Sequence, residues 1–129
     1  MATFNSNTQI AAAIKNTLPL KRYVTAADLT MDDLDNYNYI VAAHNVVLPT
    51  PSSHHLGKEI EIVGAASAKT LAGAAATDLI VAGATAASIN LDTIAGAGSG
   101  DYTYAKVRCV EQSASGTYKW VVVAGSIKA

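Results

Sequence analysis

The stretch 102–123, YTYAKVRCVEQSASGTYKWVVV, decides the fold class of this chain. Two runs rich in β-branched and aromatic residues flank a loop of polar and small residues at 111–117. Such runs favour β-strands, and a short loop between two of them favours antiparallel pairing. The stretch therefore predicts a terminal hairpin, with Tyr102, Tyr104 and Trp120 among the residues that pack it.

The clearest alternation of apolar and polar residues lies upstream, at 58–63 (KEIEIV). Successive side chains of a strand point to opposite faces, so Ile60 and Ile62 share one face and Glu59 and Glu61 share the other. The pattern predicts a strand with one face in the core. Two glutamates on one exposed face are typical of solvent contact rather than of an acid/base pair.

Shorter strand-like runs recur at intervals of about 10 to 15 residues. No segment with helical periodicity follows residue 35, which argues against alternating strands and helices. The spacing predicts a mainly β fold, an antiparallel β-sandwich or barrel. We expect the further strands at 21–25, 39–43, 46–48, 70–71, 79–81 and 89–91, with a bend at Asn45.

The first twenty residues differ from the rest, which divides the chain into an N-terminal arm at 1–20 and a β domain at 21–129. Ile10, Ile14 and Leu18 recur every four residues, which predicts a short amphipathic helix in the arm. A helix of three turns is marginal alone and must dock on another surface. The sequence leaves open whether that surface belongs to its own domain or to another protein.

Composition limits the classes of function. The 129 residues suffice for one domain, but 25 of the apolar residues are alanines, which bury little area each. Subunit contacts would add to so small a core, and we expect a homo-oligomer. With 15% charged residues and a net charge of -1, the chain shows no basic patch for a nucleic acid.

Neither a membrane nor an oxidising compartment is indicated. No apolar run reaches the roughly 18 residues of a membrane span. The first residues lack the features of a signal peptide, so we expect synthesis in a cytosol. Cys109 is the single cysteine and cannot form a disulfide within the chain, which favours a buried thiol in a strand.

No group of residues has the spacing of a catalytic or metal site. His44, His54 and His55 could supply three imidazoles, but their spacing favours solvated loops. The acidic group at 28–36 lacks the glycine of a calcium loop, and the run 96–100 (GAGSG) has no lysine after it and is read as a turn. The sequence predicts neither an enzyme nor a bound cofactor or metal.

Aromatic residues provide one alternative. A set of tyrosines together with Trp120 could form a surface that stacks on carbohydrate, or could simply pack the edges of the sheet and an interface. The tyrosines are Tyr37, Tyr39, Tyr102, Tyr104 and Tyr118.

Four segments carry a resemblance to a known class of protein. They are 25–30 (TAADLT), 46–49 (VVLP), 56–63 (LGKEIEIV) and 118–123 (YKWVVV), with a stretch of small residues before the last. In order and character they resemble small β-rich structural proteins of tailed bacteriophages, most of all capsid decoration (cement) proteins. Head fibres and tail fibre or receptor-binding domains share the pattern.

The resemblance implies a homotrimer on the capsid surface of a virion, bound between subunits of the major capsid protein and stabilising the shell. The amphipathic stripe motivates the hypothesis that the N-terminal region makes the capsid contact, through Ile10, Ile14, Leu18, Lys21 and Arg22. The candidate core or oligomer residues are Ile60, Ile62, Tyr102, Tyr104, Val107, Trp120 and Val122. The alternative is a fibre or a glycan-binding receptor module of a phage.

Overall fold

A computed structural model describes residues 22–32, 37–93, 101–112 and 116–127. The N-terminal helix predicted in the arm and the predicted turn at 96–100 lie outside these residues. The described residues form one 3-10 turn, Ser53–His55, and eleven strands of a single sheet. The strands are β1 Arg22–Val24, β2 Leu29–Thr30, β3 Tyr39–Ala42, β4 Val46–Val47, β5 Glu59–Gly64, β6 Lys69–Ala72, β7 Leu79–Val81, β8 Ala84–Ala86, β9 Ser88–Leu91, β10 Tyr102–Glu111 and β11 Tyr118–Ile127.

The predicted terminal hairpin is confirmed. Strands β10 and β11 pair antiparallel over their whole length, and Cys109 lies opposite Trp120. A β-bulge interrupts the ladder where Val107 pairs with Val122 and Lys106 pairs with Ala124. Each strand has ten residues, so the hairpin is the longest regular structure in the described chain.

The prediction of a mainly β fold is confirmed, but the prediction of a purely antiparallel sheet is wrong, because the described sheet is mixed. Six pairings between described strands are parallel, and four are antiparallel. The chain alternates between a first wing, β1–β3–β5, and a second wing, β2–β4–β6. After each strand of one wing, the chain forms one strand of the other wing before it comes back. Neighbouring strands within a wing are therefore joined by a crossover, and they run in the same direction.

Strand β10 lies at the centre of the sheet. It pairs antiparallel with β5 of the first wing, and through β9 it connects to the second wing. The sheet curls into a half-barrel around one core. The buried apolar residues come from both wings and from the hairpin, and they are Met31, Ile40, Ala42, Val46, Leu48, Ile60, Ile62, Leu71, Leu79, Ile89, Leu91, Ala105, Val107, Cys109 and Trp120.

Polar side chains hold the corners where the chain passes between the wings. The buried Thr25 Oγ1 accepts hydrogen bonds from the backbone N–H groups of Ala43 and His44, at 2.9 and 3.0 Å. Asn45 Oδ1 accepts from the N–H of Thr70 at 3.0 Å. The chain bends at 43–44, directly before the predicted position at Asn45, and the Asn45 side chain joins this corner to β6.

The described part of the segment rich in alanine and glycine, residues 64–93, belongs to the sheet and its core. The strands expected at 70–71, 79–81 and 89–91 are confirmed, and each contributes at least one residue to the core, namely Leu71, Leu79, Ile89 and Leu91. Strand β8 was not predicted. It forms a hairpin with β7 around Ala82 and Gly83, whose φ angles are 50° and 83°.

Candidate binding face

The strands of the first wing, together with β10 and β11, have one covered face and one open face. Buried and less buried residues alternate along β3, β5 and β10. Because side chains alternate between the faces, the less buried residues share the side away from the core. We call this side of the sheet the outer face. Its residues on β1, β3, β5 and β10 are Arg22, Val24, Tyr39, Val41, Glu59, Glu61, Val63, Tyr104, Lys106 and Arg108.

Strand register orders the outer face into two neighbouring rows. One row, the polar row, runs across four strands from Arg22 through Tyr39 and Glu61 to Lys106. Cross-strand neighbours of this kind lie about 5 Å apart at Cβ, so each side chain is within reach of the next. A positive charge therefore stands at each end of the row.

The second row, the apolar row, runs beside the first. It passes from Val24 through Val41 and Val63 to Tyr104. Val24 is 47% exposed and the other three are half-buried. A continuous apolar strip next to charged and aromatic residues has the composition of the core of a protein–protein interface.

An ion pair borders the polar row. The Nε and Nη2 atoms of Arg108 both donate to Glu59 Oε2, at 2.7 Å from Nε. Lys106 Nζ lies 3.8 Å from Glu59 Oε1. The hydrogen bonds from the Arg108 guanidinium and the two nearby positive charges hold the pKa of Glu59 below its usual value, so this carboxylate is ionised at neutral pH.

Two shallow depressions lie on the outer face and share Tyr39 and Glu61. One, of about 300 Å³, includes Glu59 and Lys106. The other, of about 390 Å³, includes Val63 in its lining. Both open to solvent, so the outer face is a ridged surface that a partner's side chains can enter.

The structure separates the residues singled out in the sequence. Ile60, Ile62, Val107 and Trp120 lie in the core, each 0% exposed. Tyr102 and Val122 are partly buried against that core, whereas Tyr104 belongs to the outer face. Among the capsid-contact candidates, Arg22 is exposed at the start of β1, and Ile10, Ile14, Leu18 and Lys21 lie outside the described residues.

The histidines correct one expectation. His55 is not solvated, because it is 4% exposed and its ring lies 5.5 Å from that of Trp120. Its Nδ1 is 3.3 Å from Ser52 Oγ. His54 is exposed, as expected, and His44 is half-buried. Within the part of the chain that the structure describes, no group of three or more His, Cys, Asp or Glu residues is placed to hold a metal ion.

The aromatic residues do not assemble into one stacking surface. Trp120 is buried and donates from Nε1 to the carbonyl oxygen of Pro49 at 2.8 Å, so its ring cannot stack on a sugar. The ring of Tyr37 stacks on that of Tyr23 at 4.6 Å. The outer face keeps two tyrosines, Tyr39 and Tyr104. Sequence reasoning missed this face because the register between strands creates it.

Comparison with known proteins gave no match to any family model, to any curated protein or to any solved structure. Among the residues that the structure describes, no helix is both long enough and apolar enough to span a membrane.

Proposed function

We propose that this chain is a virion structural protein that decorates a phage capsid and stabilises it by binding between capsid subunits. The observation that carries the proposal is the outer face, where a polar row and an apolar row lie side by side. Tyrosine and arginine are enriched in protein interfaces, and both occur here beside exposed valine. The resemblance in sequence supplies the partner, the major capsid protein.

The N-terminal arm extends the same surface in this proposal. Arg22 begins the polar row, so the arm at 1–20 joins the domain at the border of the outer face. The helix with Ile10, Ile14 and Leu18 would add apolar contacts with the shell. The complete sandwich or barrel predicted from the sequence, of which the described residues form a half-barrel, is also part of this proposal.

Stabilisation then follows from linked equilibria. A protein that binds only the assembled shell adds its binding free energy to that state and to no other. The chain acts as a homo-oligomer, a trimer by resemblance, at the capsid surface after synthesis in the host cytoplasm. No chemical step is involved.

The first measurement is the copy number of the chain in purified virions, by quantitative mass spectrometry. A number close to that of the major capsid protein supports decoration. A few copies per particle would assign the chain to the tail or a fibre, and its absence from virions would overturn the proposal.

A matched pair of variants tests the outer face itself. Glu61→Lys reverses a charge shared by both depressions, and Glu111→Lys makes the same change at the exposed end of β10. We expect the first to reduce binding to undecorated shells in a sedimentation assay and the second to bind like the unmodified chain. Equal binding by both variants would remove the outer face from the contact.

One observation favours the second candidate, a glycan-binding module of a fibre or receptor-binding protein. Tyr39 and Tyr104 line a depression that also contains Glu61, Thr93 and Thr103, a mixture of rings and polar groups that suits a sugar. Binding of host surface polysaccharide to the unmodified protein, reduced by Tyr104→Ala, would favour this function over decoration.

A further inference from the structure

The end of strand β11 lies at the surface of the described domain, although the ring of Tyr102 lies against one face of Gly125. All five residues from Val123 to Ile127 are exposed, and Val123 and Ile127 are 42% and 56% exposed. Strand β10 pairs with one edge of this end. Strand β7 pairs with the other edge only at Trp120 and Val121. Beyond that point, the described strands leave the second edge open.

This open edge lacks the features that prevent strands from pairing with other chains. The segment 122–127, VVAGSI, contains no charge and no proline. Natural edge strands are protected by lysine, proline or short length, and an unprotected edge is a template for a strand of another chain.

A second open edge lies on the opposite side of the same five strands. In the order β1–β3–β5–β10–β11, strand β1 pairs with β3 alone. Its three residues are also exposed or half-buried, and Val24 is 47% exposed. The described sheet therefore ends in an open edge at β1 and another at the end of β11.

Register places the two open edges at the same level. The row that starts at Val24 ends at Ser126, and the row that starts at Arg22 ends at Ala124. Strand β1 runs parallel to β5, and both β5 and β11 run antiparallel to β10, so β1 and β11 have the same direction. If β1 of a second copy lies beside β11 of the first, the rows of the two copies meet in register.

We propose that copies of this chain associate head to tail, with the open end of β11 in one copy pairing in parallel with β1 of the next. An interface between two different edges repeats from copy to copy and closes into a ring when the rotation permits. The β1 edge carries one charge, on Arg22, and the segment 122–127 carries none, so pairing these edges brings no like charges together. The outer faces of adjacent copies then form one band.

Single substitutions at each edge test this pairing in solution. Val24→Lys alters the β1 edge, Ile127→Lys alters the β11 edge, and Leu56→Lys changes an equally exposed residue in the turn before β5. Light scattering after size-exclusion chromatography measures the mass. We expect an oligomer for the unmodified chain and Leu56→Lys, and a shift to monomer at the same concentration for both edge variants.

A mixture of the two edge variants distinguishes head-to-tail pairing from other contacts. Val24→Lys retains a normal β11 edge and Ile127→Lys retains a normal β1 edge, so the mixture should form pairs that contain one copy of each. A monomeric unmodified chain, edge variants that keep their mass, or loss of mass in Ile127→Lys alone would overturn the proposal. The fluorescence of buried Trp120 verifies that each variant is folded.

This inference does not rest on the proposed function. The masses are measured without shells, so a monomeric chain that still occupies capsid sites would overturn the ring and leave decoration intact. If the chain and its variants have the expected masses but the chain is absent from virions, head-to-tail pairing stands and the decoration proposal fails.

Discussion

Trp120 is the residue on which the core depends most. It is the largest of the fully buried side chains, and its indole N–H satisfies the carbonyl of Pro49, 71 residues away in sequence. It thereby ties the hairpin to the loop that leaves β4. The neighbouring His55 ring covers it on one side.

Replacing Trp120 separates its packing from its hydrogen bond. Trp120→Ala should lower the free energy of unfolding by about 3 to 5 kcal/mol, because a large cavity replaces the ring. Trp120→Phe keeps most of the packing and leaves the carbonyl of Pro49 without its donor, at a cost of about 1 to 3 kcal/mol. Urea unfolding followed by circular dichroism measures both. An unchanged midpoint for Trp120→Ala would contradict its place in the core.

Among the elements, the β7–β8 hairpin contains a local conflict between sequence and backbone. Val81 pairs with Ala84, so Ala82 and Gly83 form a two-residue turn with positive φ at both positions. Turns of this kind prefer asparagine followed by glycine, because a side chain such as that of alanine is disfavoured at positive φ.

Ala82→Asn should therefore stabilise the protein. We expect a gain of about 0.5 to 1 kcal/mol, which corresponds to a rise in Tm of about 2 to 5 °C in a domain of this size. Ala76→Asn, at another exposed alanine without positive φ, serves as the control and should not raise Tm. A fall in Tm for Ala82→Asn would show that the turn has another conformation.

At the scale of the whole molecule, the described residues share one apolar core. Every buried apolar residue of that core lies between Met31 and Trp120. The hairpin, the two wings and the corner side chains hold this core together. Residues 1–20 lie outside the described chain, and the proposed function assigns them a contact with the shell.

Deletion of residues 2–20 tests that division of roles. The shortened chain should unfold cooperatively, with a Tm within a few degrees of the full chain, and should still form the oligomer. Its binding to undecorated shells should be lost, because the arm is proposed to make much of the capsid contact. Full binding by the shortened chain would disprove the role of the arm, and a large fall in Tm would show that the arm packs on its own domain.

The sequence alone determined the β class, the terminal hairpin and the covered faces of single strands. These follow from alternation within a few consecutive residues, which requires no knowledge of distant contacts. Ile60 and Ile62 show this directly, since the pattern KEIEIV fixes which side of β5 is apolar. The weak strands around Leu71, Leu79 and Ile89 were also visible as isolated apolar residues among alanines.

Only the tertiary structure decided which strands pair and in which direction. Parallel pairing within each wing arises because the chain forms a strand in the other wing before it returns. No pattern within a few consecutive residues predicts that order. The rows of the outer face join β1 to β10, 80 or more residues apart in sequence, and the open edges at β1 and β11 lie at one level only through four successive registers. Such surfaces depend on contacts between distant segments, and these form when the core closes.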